Sequence, residues 1–448
     1  MERTVDLNQV LEARERRAFR QRALLTQYSL PLVSFSMNIA GPVKNTPLIR
    51  RGFRLGLRTL LEHLRLSGIS VVHEEETDAV TGCEALIVTD AKPEKVKRIA
   101  CAIEDHAPLG RLYDMDVIGT DGVKLNRPEP RRCLICGQPA RACARSRTHS
   151  VEELQAATRN LLKTALDAED AQTAARLTVQ ALLFEVCVTP KPGLVDRTNN
   201  GSHKDMDIYS FMSSAAALWP YFADCVKIGR ETANQPAPET LAALRWHGIQ
   251  AECNMRRATG GVNTHKGAIF SMGLLCGALG RLEREQWAEP EAVSREIAAM
   301  AQGTVEKELG GVKPENAHTA GQRLYAQYGV AGVRWEAEKG FPSVLAHGLH
   351  VLETGLAQGK SADEAGAAAL LTLLAHTADT NMMARGGMAL YQEAEAHVKS
   401  ILEESPYPAK EKIEKLDHSF IGNNLSPGGS ADLLSMCWIL HFLKEERT

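Results

Sequence analysis

The stretch TAARLTVQALLFEVCV, residues 173–188, runs straight into TPKPGLVDRTNNGSHKDMD, residues 189–207, and this junction decides how the larger part of the chain is read. The first segment is rich in alanine and leucine and reads as helix. The second sets Lys191, Asp196, Asn199, Asn200, His203, Asp205 and Asp207 among prolines and glycines. A connection needs a few turn residues, not that density of charged and amide side chains. Burying such groups costs free energy unless something pairs with them. The segment therefore reads as a helix opening into one wall of a binding site.

Outward from this junction the two sides differ in grain. Beyond about residue 150, stretches such as SVLAHGLHVLETGLAQ (343–358), ADEAGAAALLTLLAHTAD (362–379) and ADLLSMCWILHFLKEE (431–446) have helical periodicity. They predict an all-α domain of about ten helices. Toward the N-terminus, helix-like ARERRAFRQRALLTQ, GFRLGLRTLLEHLRLSG and PEKVKRIACAIEDH alternate with strand-like LPLVSFSMNIAG, ISVVHEEET, CEALIVTD and RLYDMDVIG. That mixture predicts an α+β domain over residues 1–165, ahead of an all-α domain over 172–448. The connecting TALDAEDAQTAAR (164–176) reads as helix, not as a Gly/Ser linker.

The 448 residues are 44% hydrophobic and 24% charged, an ordinary globular balance with ample core material. A net charge of −3 and only 5% aromatics argue against nucleic-acid binding. The charged start MERTVDLNQVLEARERR has no apolar secretory core, and no apolar run is long enough for a membrane span. With no such signal, the 10 cysteines are expected to be reduced thiols of a cytoplasmic protein.

In the N-terminal domain, Asp114 and Asp116 in GRLYDMDVIG fall on one face of a strand, shared with Leu112. Two adjacent carboxylates repel unless a cation lies between them, and Mg²⁺ with a phosphate substrate is the usual case. SFSMNIAGPVKNTPLIRRG offers Asn38, a Gly-Pro turn, Lys44 and Asn45, which suits a phosphate. Cys133, Cys136, Cys143 and His149 have the spacing C-x2-C-x6-C-x5-H, making them candidate structural Zn²⁺ ligands. Around them lie Arg131, Arg132, Arg141, Arg145 and Arg147, either a solvated face or a receptor for an acidic partner.

Three more polar loops interrupt the helical domain. TGGVNTHKGAIFSMGLL puts Asn263, Thr264, His265 and Lys266 at a helix start, where free N–H groups and a cation converge. LLAHTADTNMMARGG places His376, Asp379 and Thr380 on one face of a helix, with Asn381 and Arg385 a turn further on. In NNLSPGGSADLL, Ser426 can cap, Pro427 suits the first helical position, and Gly428 and Gly429 allow close backbone approach before Asp432. Caps and glycines are ordinary helix punctuation, but four such loops in an Ala/Leu domain predict one shared polyanion site.

Taken in order, TPKPGLVDRTNNGSHKDMD, GGVNTHKGAIFSMGLL, HTADTNMMARGG and SPGGSADLL resemble the motifs of triphosphoribosyl-dephospho-CoA synthases. The N-terminal part, with SFSMNIAGPVKN, GRLYDMDVIG and RRCLICGQPARACARSRTHS, resembles citrate lyase phosphoribosyl-dephospho-CoA transferase, also called holo-ACP synthase. The resemblance implies a fusion of two consecutive enzymes, the first with a nucleotidyltransferase-like domain. It implies that the C-terminal half joins ATP to 3′-dephospho-CoA and expels adenine. The N-terminal half then passes the product to a serine of the citrate lyase acyl carrier protein (the gamma subunit) and releases pyrophosphate. On that basis Asp196, His203, Asp205, His376 and Asp379 are candidates for the carboxylate beside the ribose and for the base. Lys191, Lys266 and the helix starts at Gly267 and Gly428 would hold triphosphate. Asn199, Asn200, Asn263, Thr264, His265, Asn381, Ser426 and Gly429 would be further substrate contacts. Asp432 and loop aspartates such as Asp207 would carry Mg²⁺. In the other half, Asp114 and Asp116 would hold Mg²⁺, while Asn38, Lys44, Asn45 and Arg111 would contact phosphate. Two rival readings are a metal-dependent phosphohydrolase, which lacks the additional paired histidines it needs, and a helical assembly module without turnover.

Overall fold

The computed structural model describes residues 3–446, which fall into two compact units that divide between Ala168 and Glu169. In the first, strands β1 (Leu32–Met37), β2 (Val71–Ala79), β3 (Gly82–Thr89) and β4 (Tyr113–Ile118) form an antiparallel sheet in the order β2-β3-β1-β4. Period-two alternation sorts their side chains. Val33, Phe35, Ala85, Ile87, Met115 and Val117 face helices α2 (Pro47–Leu66) and α3 (Pro93–His106). Gly56 lets α2 approach closely: a Cβ there would meet the rings of Phe35 and Tyr113 at 2.7 Å. Helix α1 (Leu7–Tyr28) inserts Leu24 among Leu32, Leu86, Val88 and Ile118 on the opposite face.

Asp114 and Asp116 are half-buried and alternate with buried Tyr113, Met115 and Val117, as the strand period requires. They lie opposite Ser36 and Ser34 of β1. Leu112 does not extend their face. It ends a 3-10 turn, Gly110–Leu112, and is buried, because the chain reaches β4 through that turn. A short helix α4 (Ala140–Ser146) follows the sheet.

The division between units falls within α5 (Val151–Cys187). The second unit continues with α6 (Ile208–Glu231), α7 (Ala237–Ala258), α8 (Lys266–Arg281), α9 (Pro290–Ala301), α10 (Thr304–Leu309), α11 (Ala320–Tyr328) and α12 (Val333–Glu338). Then come α13 (Leu349–Ala357), α14 (Ala362–His376), α15 (Thr380–Glu404), α16 (Lys410–Gly422) and α17 (Gly428–Glu445). The total exceeds ten because the 304–338 segment breaks into short helices. Helices α8, α14 and α17 are apolar nearly all round and buried, the expected place for such a helix. Gly229 and Gly277 let α6 and α8 cross closely, since a Cβ on Gly229 would lie 2.1 Å from the Gly277 carbonyl oxygen. No helix among the described residues is long and apolar enough to cross a membrane.

His376 and Asp379 do not share a helix. His376 ends α14, and Asp379 starts α15 by accepting from the N–H groups of Asn381 (3.0 Å) and Met382 (3.1 Å). A capped start requires extended backbone at the cap, which breaks the helix there.

Candidate active site

The loop 188–207 has little regular structure and is shaped by carboxylates. Asp196, 3% exposed, accepts from the N–H groups of Lys191 (3.1 Å), Thr198 (2.7 Å) and Asn199 (3.0 Å), and from the Thr198 hydroxyl (2.6 Å). Asp417 of α16 accepts from Gly193 N–H (2.8 Å) and Asn199 Nδ2 (2.9 Å). Gly193 has φ +67°, and a Cβ there would lie 2.2 Å from the Leu425 carbonyl oxygen, so the turn demands glycine. These bonds hold the loop against the chain that leads into α17.

The loop's inner side, the starts of α8 and α17, and the α14–α15 break enclose a cavity of about 800 Å³. That volume lies within the range of small-molecule sites. At its floor Lys191, 1% exposed, donates to Glu185 at 2.5 Å. His265 precedes α8 and is 3% exposed. Its Nδ1 lies 2.7 Å from Ser214 Oγ, while its Nε2 and the neighbouring Thr264 hydroxyl are buried without partners. Burial, reinforced by the Lys191 charge, holds the His265 imidazole down to about 3, so it is neutral near pH 7. His203 Nε2 lies 2.8 Å from Ser426 Oγ, and Arg385 donates to the Ser202 carbonyl (2.8 Å) and to Asn424 (3.1 Å). Burial and the Arg385 charge push the His203 imidazole downward too. His376 donates from Nδ1 to the Thr372 carbonyl at 2.8 Å, so Nδ1 carries a proton and Nε2 takes no part in that bond.

Asp432 lines the cavity from α17, and a Cβ at Gly267 would lie 1.9 Å from its Oδ2. Burial, then the charges of Glu185 and Asp379, raise its carboxyl well above the ordinary range. Asp379 itself is a clamp: beyond capping α15 it accepts from Ser430 N–H (2.8 Å) and Ser430 Oγ (2.9 Å), tying α15 to α17.

In the first unit, Lys124 pairs with Asp116 at 2.5 Å, and Arg131 stands 3.7 Å from Asp114. Arg131 also reaches the Glu104 carboxylate and the Tyr113 carbonyl. The candidate ligand atoms of Cys133, Cys136, Cys143 and His149 all lie within 4.8 Å of one another. Close approach of the His149 ring is the main cause that holds the Cys136 thiol down to about 6.

The model of the CitG family, ATP:dephospho-CoA triphosphoribosyl transferase, matches residues 171–448. That of CitX, apo-citrate lyase phosphoribosyl-dephospho-CoA transferase, matches residues 5–165. Protein CitXG of Haemophilus influenzae is 35% identical over 453 residues, 96% of this chain and 95% of that protein. Protein CitXG of Leuconostoc mesenteroides is 32% identical over 450 residues, with the same coverage of 96% and 95%. The chain belongs to the CitXG family. A probable 2-(5''-triphosphoribosyl)-3'-dephosphocoenzyme-A synthase of Vibrio cholerae is 41% identical over 271 residues, 60% of this chain and 87% of that protein. The chain is thus a transferase with two activities, synthesis of triphosphoribosyl-dephospho-CoA and transfer of phosphoribosyl-dephospho-CoA to apo-citrate lyase.

Of the residues that the sequence singles out, Lys191, His203, Asn263, Thr264, His265 and Lys266 line the cavity. So do His376, Asn381, Ser426, Gly428, Gly429 and Asp432. Others are spent elsewhere. Asp196 and Asp379 exhaust their oxygens on backbone N–H groups, and Asn199 is tied to Asp417. Asp207 caps α6, accepting from Ser210 N–H at 2.8 Å, instead of facing the cavity. Asn200 and Asp205 are exposed and do not line it. Ser426 does not cap α17: Pro427 holds that position, and the hydroxyl turns to His203.

In the first unit Lys44 donates to the Ile39 carbonyl at 2.5 Å, and burial together with the Arg14 charge lowers its ammonium. Asn45 Nδ2 donates to Asp78 (2.6 Å) and the Ala79 carbonyl (2.8 Å), so it staples the end of β2. Asn38 joins Leu112 through its backbone N–H, and Arg111 is lowered by burial and by Arg131. Cavity residues that the sequence did not single out include Glu185, Glu336 and the stretch from Gly329 to Trp335. A lone Glu inside an apolar helical run was a usable signal for Glu185. The segment YGVAGVRW carries almost no polar side chains, so nothing in it advertised a site.

Proposed function

We propose that residues 172–448 of this chain form 2'-(5''-triphosphoribosyl)-3'-dephospho-CoA and adenine from ATP and 3'-dephospho-CoA, in the cavity of the helical unit. Residues 1–165, acting as a nucleotidyltransferase domain, then attach phosphoribosyl-dephospho-CoA to a serine of the citrate lyase acyl carrier protein and release pyrophosphate. The observation that carries the first half is charge arrangement in one cavity. Lys191, Lys266, Arg385 and the N-terminus of α8 line the same cavity as Asp432, for which no hydrogen bond or ion pair is found among the described residues. Cations and free N–H groups suit a triphosphate. A bare carboxylate beside Glu185 suits a divalent cation with oxygen ligands, so the residues fit Mg²⁺, with Asp432 and Glu185 as its holders. Mg²⁺ bound there would neutralise triphosphate charge.

In the reaction, a bond forms between the dephospho-CoA 2′-oxygen and the anomeric carbon of the ATP ribose. The carbon–nitrogen bond to adenine breaks, and its electron pair leaves with the base. His376 Nε2 takes the hydroxyl proton, since its lone pair is fixed by the Nδ1–H bond to Thr372. Glu336, held by Ser343 Oγ at 2.6 Å, supplies negative charge beside the developing oxocarbenium centre. His265, neutral and unpaired at Nε2, orients substrate by a hydrogen bond.

In the N-terminal unit Asp114 and Asp116 fit Mg²⁺ because they already attract cations, the exposed Lys124 and Arg131. The ion would stabilise departing pyrophosphate. Exposed Arg132, Arg141, Arg145 and Arg147 suit an acidic carrier protein. The chain's ten cysteines are free, as in the reducing cytoplasm where these reactions would run. The test is incubation with ATP, Mg²⁺ and 3'-dephospho-CoA, followed by chromatography. Free adenine that depends on dephospho-CoA is expected; ADP or inorganic phosphate without adenine would replace this reading with a phosphohydrolase.

A further inference from the structure

We propose that Cys133, Cys136, Cys143 and His149 bind one structural Zn²⁺ and that this ion fixes Arg131 against the Asp114 strand. Four N and S ligand atoms meet within 4.8 Å of one another, and the Cys136 and Cys143 sulfurs are 3.4 Å apart. Ligands about 2.0–2.3 Å from zinc in a tetrahedron stand about 3.5–3.8 Å from each other, so the group closes on zinc with little movement. The second observation is His149 Nε2, buried and without a hydrogen-bond partner on a segment otherwise largely exposed. A buried, unpartnered nitrogen on a ring that stands among three sulfurs is accounted for by a metal. All four positions come from the protein, which leaves none open for substrate, so the role is structural and not catalytic.

The local backbone is built for this. Cys133 N–H donates to the Gln138 carbonyl at 2.6 Å, and Gly137 turns at φ +72° immediately after Cys136. Ala140 N–H donates to the Arg131 carbonyl at 2.8 Å, so the knuckle closes around the backbone of Arg131. The Arg131 guanidinium meanwhile bonds Glu104 and the Tyr113 carbonyl beside Asp114. Residues 119–139 form no long helix or strand that would otherwise hold this arginine. The metal therefore acts at the transfer site through Arg131, a positioning residue.

The zinc claim stands alone, while its effect on transfer rests on the N-terminal reading above. The full chain, purified under reducing conditions without affinity metals, is assayed for metal by mass spectrometry after dialysis against a chelator. About one zinc per chain is expected, and Cys136→Ser and His149→Ala should each lose it. Cys136 is exposed, so that variant keeps the fold, which circular dichroism checks. Metal-free wild type, or variants that keep full zinc, would overturn the site, as would a Cys136–Cys143 disulfide in the reduced preparation. With preformed triphosphoribosyl-dephospho-CoA, carrier modification by Cys136→Ser should fall roughly tenfold or more, while adenine formation stays at wild type. Unchanged modification in a zinc-free variant would overturn the positioning role and leave the metal site standing.

Discussion

The carboxylates of the two units stand in opposite states. In the sheet unit Asp114 and Asp116 are half-buried, spread along a strand and already countered by Arg131 and Lys124. In the helical unit Asp432 faces a cavity beside Glu185, and burial with neighbouring negative charge raises its carboxyl. The first arrangement is stable as it stands, and under the proposed reaction it would exchange its cations for a metal–phosphate complex. The second is unfavourable as it stands and gains most when a cation enters. Evolving a site at a cost to the empty protein is how binding energy is reserved for substrate.

The comparison predicts asymmetric variants. If Asp432 holds Mg²⁺ as proposed, Asp432→Asn should lower adenine formation about a thousandfold. The same variant should modify carrier protein normally when given preformed triphosphoribosyl-dephospho-CoA. Asp114→Asn with Asp116→Asn should do the reverse, stopping carrier modification by about a hundredfold or more while adenine appears at the wild-type rate. Loss of both activities in either variant would break the separation of the two sites.

Within the helical unit the contrast sharpens to clamp against site. Asp379→Ala strips acceptors from three N–H groups and one hydroxyl. Unsatisfied buried donors cost about 1–3 kcal/mol each before relaxation, so a loss of about 3 kcal/mol is expected in denaturant unfolding. Asp432→Asn should leave the unfolding midpoint unchanged or raise it, since it removes a repelled charge and breaks no bond. Equal destabilisation by both would mean Asp432 is structural as well.

This distinction marks the limit of what the residues announce. Convergence of four loops was legible, because Lys191, His265, His376 and Asp432 have no reason to lie among alanines and leucines unless they meet. Which aspartates face the cavity was not legible. Asp196, Asp207 and Asp379 have the same chemistry as Asp432, and only backbone geometry shows their oxygens consumed by N–H groups. The spacing of His376 and Asp379 fits one helix face equally well whether the helix continues or restarts, and the cap bond chose restarting. In the sheet unit the alternation around Asp114 and Asp116 was readable because a period of two leaves no other arrangement of those faces. Lys44 and Asn45 look like phosphate contacts in sequence, yet carbonyl oxygens nearby claim them.

The smallest expected effect involves residues of neither site. Glu75 of β2 accepts from the Arg20 guanidinium of α1 and bonds His73 of its own strand, which holds its carboxyl down from 4.5 to about 2. Because the folded value is the lower one, the stabilisation is complete above the unfolded value of 4.5 and fades as pH falls toward 2. Glu75→Gln removes this dependence: its melting temperature should drop below wild type at pH 7 and converge with it near pH 2–3. Arg20 is largely exposed and the pair is screened by solvent, so the difference at pH 7 should be about 2 °C or less. A larger gap, or one that persists to pH 2, would mean that Glu75 supports the α1–sheet contact by packing and not by charge.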